Sequence, residues 1–66
     1  MTLLEFLNHL KHKSLKLELY NDNGHFIYAT ELGSYYNWIY RQQFDNCLII
    51  LIEALENNKF RIQIEV

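Results

Sequence analysis

Residues 60–66 read FRIQIEV, a segment in which apolar and polar side chains alternate without a break. This period of two is typical of a β-strand with one buried face. A strand needs a hydrogen-bonded neighbour, and a tight turn at Asn57-Asn58 would fold this one back onto residues 47–56. That stretch, CLIILIEALE, also fits a helix because its leucines recur at helical spacing. The alternating segment favours the strand, so the sequence predicts a C-terminal hairpin.

The predicted C-terminal hairpin places one charged residue, Glu53, on the core-facing side of its strand. Pairing around that turn faces Ile49, Leu51 and Leu55 towards the core. The same register also turns Glu53 inward. A bulge near Ala54 would return the Glu53 carboxylate to solvent.

The chain begins with the signals of a helix N-terminus. Thr2 is a good N-cap, and Glu5 follows three residues later, which together form a capping box. The next apolar residues recur at helical spacing: Leu3, Phe6, Leu7 and Leu10. The sequence KHK at residues 11–13 is expected to end this helix, since positive charge is favoured at a helix C-terminus.

A second hairpin is predicted where SLKLELY and HFIYAT flank the turn sequence NDNG, over residues 14–30. A turn over residues 21–24, with Gly24 in the left-handed region, places Leu19 beside Ile27. The opposite face then carries three rings, those of Tyr20, Phe26 and Tyr28.

The turn of this hairpin has an alternative. A two-residue turn at Asn23-Gly24 shifts the register by one and moves Phe26 and Tyr28 to the leucine side. We favour the turn over residues 21–24 because it gives a consistently aliphatic face. That choice leaves an aromatic face that needs a cover.

The middle of the chain can supply that cover. Gly33 breaks the second strand and Ser34 is a good helix cap, so residues 31–44 predict a short helix or helical loop. The fold class that follows is α+β, in one domain over residues 1–66. An N-terminal helix packs on a four-stranded antiparallel sheet made of two hairpins, with a short helix between them.

The apolar content is high for so short a chain. Half of the 66 residues are hydrophobic and 15% are aromatic, whereas a domain of this size buries only about 60% of its surface. We therefore expect self-association, a homodimer being favoured, and binding of a protein partner through aromatic surface. The expected partner-binding residues are Tyr20, Phe26, Tyr28, Tyr35, Tyr36, Trp38 and Tyr40.

Candidate catalytic and metal-binding residues are few. His9 and His12 lie three apart, but two ligands do not make a metal site. His25 sits at a hairpin tip, and Cys47 has no cation nearby to stabilise a thiolate. The sequence predicts no enzyme activity, no cofactor and no metal.

A weaker hypothesis is binding of single-stranded nucleic acid. Lys11, Lys13 and Lys16 cluster in HLKHKSLK, and the hairpin rings could stack bases. The net charge of −2 counts against it, because such binders place positive charge beside their rings.

Location is predicted from what the sequence contains. The start of the chain does not resemble a signal peptide, and the longest apolar run, residues 47–52, is too short to span a membrane. A single cysteine is typical of a reducing compartment. We expect a cytoplasmic protein without a membrane partner.

The order LLEFLNHL, LKLELYNDNGHFIYATEL and FRIQIEV resembles small uncharacterised proteins encoded by phages and prophages of low-GC Gram-positive bacteria. The stretch YNDNGHFIY at residues 20–28 carries the resemblance, while SYYNWIYRQQF in the middle is more aromatic. The resemblance implies a compact cytoplasmic accessory protein that binds a host or phage protein. It supplies no catalytic residues.

Overall fold

The computed structural model describes the whole chain, residues 1–66. Two short helices and four strands follow one another, with a 3₁₀ turn before the third strand. In chain order they are α1 (Leu3–Asn8), β1 (Lys16–Tyr20), β2 (Phe26–Glu31), α2 (Leu32–Tyr35), the 3₁₀ turn (Arg41–Gln43), β3 (Leu48–Leu55) and β4 (Lys59–Glu65). The α+β class predicted from the sequence is confirmed.

The four strands form one mixed sheet in the order β2-β1-β4-β3. Each hairpin is antiparallel, but β1 and β4 pair in parallel at the centre. The prediction of a purely antiparallel sheet is therefore wrong at this junction. Parallel neighbours need a long crossover, and residues 21–58 provide it by carrying the chain from one edge of the sheet to the other.

The core lies between the helices and the central strands. Its fully buried side chains come from both helices, β1 and β4: Leu3, Leu7, Leu17, Leu19, Leu32, Tyr35, Ile62 and Ile64. In β4 the buried isoleucines alternate with Arg61 and Gln63, as the period of two predicts. We call the helix-covered side of the sheet the inner face and the open side the outer face.

Helix α1 starts as predicted but ends early. The Thr2 N–H donates to Glu5 Oε1 (2.9 Å) and the Glu5 N–H donates to Thr2 Oγ1 (3.2 Å), which completes the capping box. The helix ends at Asn8 and carries no basic residue in its last turn, so the prediction that KHK ends it is wrong. Residues 9–15 instead form a loop, whose Lys13 carbonyl accepts a hydrogen bond from Gly33 N–H (3.0 Å).

The turn of the first hairpin is the one favoured by the sequence. The Gly24 N–H donates to the Asn21 carbonyl (3.0 Å), and Gly24 alone in this turn has a positive φ, +81°. The Asn21 side-chain oxygen also accepts from the N–H groups of Asn23 and His25, at 2.9 Å each. The alternative Asn23-Gly24 turn is excluded, because it needs a positive φ at Asn23 as well.

The register beyond that turn differs from the prediction. Tyr20 pairs with Phe26, but Leu19 lies opposite Tyr28 instead of Ile27. Ile27 is thus the extra residue of a β-bulge, which transfers the rest of β2 to the other face. Tyr28 joins the leucines on the inner face, and Phe26 stays with Tyr20 on the outer face.

The C-terminal hairpin is confirmed, with positive φ at Asn57 (63°) and Asn58 (56°) in its turn. Its bulge lies at Ile50, not near Ala54. Beyond the bulge, Leu51 and Glu53 pair with outer-face residues of β4. The prediction that Leu51 and Leu55 face the core is therefore wrong, and Glu53 reaches solvent by the earlier bulge.

Gly24→Ala should cost about 1 kcal/mol in the free energy of unfolding, because a side chain at positive φ strains the backbone. A Cβ there would meet no atom within 4 Å, so the loss isolates that strain. Urea denaturation measures it, and Gly33→Ala is the matched control. Gly33 has an ordinary φ, and its Cβ would meet Lys13 Cβ at 3.4 Å, a normal contact. Equal losses in both variants would contradict this account of the turn.

Candidate interaction surface

The rings of SYYNWIY pack largely on one another. Trp38 is stacked between Tyr28 and Phe44, with ring centroids 4.0 and 5.4 Å away and near-parallel planes. The Tyr35 ring lies 6.0 Å from the same indole. This cluster extends the core under the crossover connection, because Trp38 and Phe44 also pack against the buried residues.

Tyr35 fastens the crossover to the core. Its hydroxyl donates to Asp45 Oδ1 (2.7 Å), and Asp45 also pairs with Arg41 (Nη1 to Oδ2, 3.4 Å). Burial and the Asp45 carboxylate raise the pKa of Tyr35 far above its ordinary value, so it stays a hydrogen-bond donor. The bond supplies a donor to the carboxylate of Asp45, a residue that is only 8% exposed.

The seven rings expected to bind a partner do not form one surface. Tyr35 is fully buried, and Tyr20, Tyr28, Tyr36 and Trp38 are half-buried. The two that are exposed, Phe26 and Tyr40, lie on β2 and before the 3₁₀ turn, respectively. The exposed apolar surface of the molecule is therefore mainly aliphatic.

That aliphatic surface is strand β3. The exposed fractions are 52% for Leu48, 50% for Ile50, 47% for Leu51 and 38% for Ile52. Met1 and Val66 are also exposed and adjoin the same strand. The Met1 carbonyl accepts a hydrogen bond from Ile49 N–H, and Val66 follows Glu65, which pairs with Leu48. Six of the nine exposed large apolar residues thus lie along this edge of the sheet. We call residues 50–55 the free edge, because no strand pairs with their outward side.

The backbone of β3 is paired on one side only beyond Ile49. At its start the N-terminal segment adds an antiparallel bridge between Thr2 and Leu48. In this bridge the Ile49 N–H donates to the Met1 carbonyl (3.0 Å), and the Leu3 N–H donates to the Cys47 carbonyl (2.9 Å). Residues 50–55 pair with β4 alone, so their outward N–H and C=O groups have no backbone partner.

The opposite edge of the sheet differs in chemistry. The outward side of β2 is also open, but its exposed residues include Glu31, and Phe26 is its only exposed large apolar side chain. Each edge strand carries one charge, Glu31 at the end of β2 and Glu53 within β3. The two edges therefore differ in their exposed apolar side chains, one on β2 and four on β3.

The outer face is polar at its centre. Glu18 accepts from Arg61 Nε (3.3 Å) and pairs with Lys59 Nζ (3.4 Å), while the Arg61 guanidinium lies over the Tyr20 ring at 5.4 Å. Partial burial by itself raises the pKa of Glu18. The hydrogen bonds and charges of Arg61 and Lys59 outweigh burial and hold the pKa below its ordinary value. Tyr20 also meets Phe26 edge-on at 5.6 Å.

The three lysines of the nucleic-acid hypothesis are exposed but are not brought together. Lys13 lies over the Tyr36 ring at 4.7 Å, against the helical layer. Lys16 precedes the inward Leu17 in β1 and therefore points to the outer face, beside Lys59. Lys11 lies in the loop after α1.

The other titratable candidates stand apart from one another. His9 Nδ1 lies 2.7 Å from the Glu5 carbonyl oxygen, and His12 and His25 are exposed. Burial raises the pKa of the Cys47 thiol, whose sulfur lies 3.5 Å from the Gln43 carbonyl oxygen. The structure holds no group of three or more His, Cys, Asp or Glu side chains that could bind a metal ion.

The free edge was missed by sequence reasoning, although a signal for it exists. LIILI at residues 48–52 is apolar at both odd and even positions, so a strand there has apolar side chains on both faces. A single helical layer can cover only one face of the sheet. The sequence predicts that Ile49, Leu51 and Leu55 face the core, because neither the strand order nor the position of the bulge can be read from this pattern.

Comparison with models of protein families, with curated proteins and with solved structures finds no match. No helix of the chain has the length and apolar character needed to cross a membrane.

Tyr35→Phe should lower the free energy of unfolding by about 1–3 kcal/mol, because it leaves the buried Asp45 carboxylate short of a donor. Thermal or urea denaturation at neutral pH measures the loss. Tyr36→Phe is the matched control, since its hydroxyl donates to Asn8 Oδ1 (3.1 Å) at an exposed position. A Tyr36→Phe variant at least as destabilised as Tyr35→Phe would contradict the role given to Asp45.

Proposed function

We propose that this protein is a non-enzymatic interaction module that binds another polypeptide chain through the free edge of β3. The observation that carries the proposal is an eight-residue edge strand with four exposed aliphatic side chains and, beyond Ile49, no backbone partner on its outward side. A strand of this kind binds an extended segment by adding it to the sheet. Main-chain hydrogen bonds then supply affinity, and the side chains supply selectivity.

Burial of aliphatic surface gives this binding its driving force. Removing apolar surface from water contributes roughly 25 cal/mol per Å². Ile50, Leu51 and Ile52 follow one another along the edge, with Leu51 on the outer face and Ile52 on the inner face. Sheet proteins usually blunt such edges with charge, proline or a covering segment. Here the N-terminal segment covers only the start of β3, and Glu53 is the single charge on the strand.

The partner-binding role replaces the aromatic surface expected from the sequence with an aliphatic one. Of the rings named there, Phe26 and Tyr40 remain available at the surface. The biological setting proposed is that of a cytoplasmic accessory protein of phage or prophage type. It is supported by the sequence resemblance around YNDNGHFIY and by the single cysteine.

Ile52→Lys should abolish most binding through β3, because it places a charge on the free edge. The experiment is affinity capture from a lysate of a low-GC Gram-positive bacterium, with tagged protein and mass spectrometry. We expect capture of specific proteins to fall about tenfold, equivalent to 1.4 kcal/mol. Ile39→Lys is the matched control, because Ile39 is 79% exposed and lies between α2 and the 3₁₀ turn, outside the sheet. Equal capture by wild type and both variants would refute the proposal, provided circular dichroism shows all three folded.

A second candidate function is binding of single-stranded nucleic acid on the outer face. The observation that favours it is the sharing of this face by two rings, Tyr20 and Phe26, and three basic side chains. Those basic residues are Lys16, Lys59 and Arg61. Glu18 neutralises part of that charge through its pairs with Lys59 and Arg61, which is why we rank this function second.

Nucleic-acid binding predicts a steep response to salt. Fluorescence anisotropy of a labelled oligothymidylate should show affinity that falls sharply as salt is raised, because bound phosphates release counterions. Lys16→Glu should weaken binding, whereas Lys11→Glu, which lies off the outer face, should not. Affinity that is absent at low salt or unchanged by salt eliminates this candidate.

A further inference from the structure

We infer that the occupant of the free edge is a second copy of this chain, paired antiparallel through β3 about a two-fold axis at Ile52. The inference rests on the proposed function and specifies its partner. It joins the two four-stranded sheets into one continuous sheet, with both helical layers on the same side.

The edge already accepts an antiparallel strand. The Thr2–Leu48 bridge adds chain on the outward side of β3, with hydrogen bonds of 3.0 Å from Ile49 and 2.9 Å from Leu3. Met1 occupies the outward side of β3 at Ile49. A partner strand can therefore begin only at Ile50, and the turn at residues 56–58 limits it at the other end.

The faces of β3 restrict the possible registers. In an antiparallel pair, residues directly opposite share a face. Ile52 pairs with inner-face Ile62, whereas Leu51 and Glu53 pair with the outer-face residues of β4. A two-fold axis must therefore pass through a single residue that lies opposite its own copy. Within the free edge, only axes at Ile52 or Glu53 allow a pairing of five residues.

Charge decides between those two axes. An axis at Glu53 places the two carboxylates directly opposite, with Cβ atoms about 4.5–5.5 Å apart, and like charges in that position are destabilising. An axis at Ile52 places Ile52 against Ile52 and Leu51 against Glu53. It also places Ile50 against Ala54. The paired stretch then runs over residues 50–54 and stops short of Ile49, which is hydrogen-bonded to Met1.

The Ile52 axis also places three of the four exposed aliphatic side chains of β3, those of Ile50, Leu51 and Ile52, within the paired stretch. On the inner face Ile52 gains its own copy as a neighbour, and on the outer face each Leu51 meets the aliphatic part of Glu53. A two-fold contact of this kind is self-complementary and closes after two copies. A paired stretch of five residues is a small interface, so the dimer should be weak and dependent on concentration.

The first test is disulfide trapping in a Cys47→Ala background. Two Ile52→Cys side chains would face each other across the axis. At about 100 µM protein, their millimolar effective concentration should make the disulfide-linked dimer form about tenfold faster than in an Ile39→Cys control. Leu48→Cys, on the same strand beside the Met1-paired end, should be as slow as the control. Equal rates at all three positions, or fastest linking at Leu48→Cys, would overturn the inference.

The second test uses the fact that a residue on the axis meets its own copy. Ile52→Lys and Ile52→Glu should each be monomeric in sedimentation equilibrium, where wild type forms a dimer. An equimolar mixture of the two variants should recover a heterodimer, because lysine then faces glutamate. No recovery in the mixture, or a monomeric wild type at high concentration, would overturn the inference.

The two proposals can fail separately. Captured proteins that depend on Ile52, together with failure of both tests above, would mean that the free edge binds a foreign strand. In that case the second copy is excluded and the interaction module stands. Trapping at Ile52→Cys without any Ile52-dependent capture would support the dimer and remove the wider partner-binding role.

Discussion

The parallel pairing of β1 with β4 under the two helices holds the fold together. Leu17 lies beside Phe60 and Leu19 beside Ile62 at the centre of the sheet, and Leu17, Leu19 and Ile62 are almost fully buried. This parallel pair uses the most aliphatic faces of both hairpins and gives the helices a surface to cover. The helices cover one side of the two central strands, and the edge strands are more exposed to solvent. Strand β3 is the most exposed of the four.

The exposed edge follows from that arrangement and from the size of the chain. With 66 residues the protein forms one helical layer, so a strand that is apolar on both faces cannot be buried at the sheet margin. The rings of Tyr28, Tyr35 and Phe44 do not remain exposed, because the crossover packs them around Trp38. The Tyr35–Asp45 hydrogen bond ties this cluster to the core, while the exposed apolar surface is mainly aliphatic.

Two β-bulges decide which side chains reach which face. The bulge at Ile27 moves Tyr28 into the aromatic cluster, and the bulge at Ile50 moves Glu53 out to solvent. Each bulge resolves a conflict between a regular register and the preference of one side chain for the interior or for water. The sequence shows that a regular register would turn Glu53 into the core. It does not show where the bulge lies, because several positions would return the Glu53 carboxylate to solvent.

The local elements can be read from the amino-acid sequence. Thr2 and Glu5 define the start of α1, Gly24 and the Asn57-Asn58 pair define the turns, and the alternation in FRIQIEV defines β4. These signals act over a few residues, through caps, backbone dihedral angles and periodicity. The parallel junction, the bulges and the identity of the exposed surface are set when the two hairpins pack together. Those features depend on which hairpin faces dock together and how much apolar area the docking buries, and short-range patterns do not encode that competition.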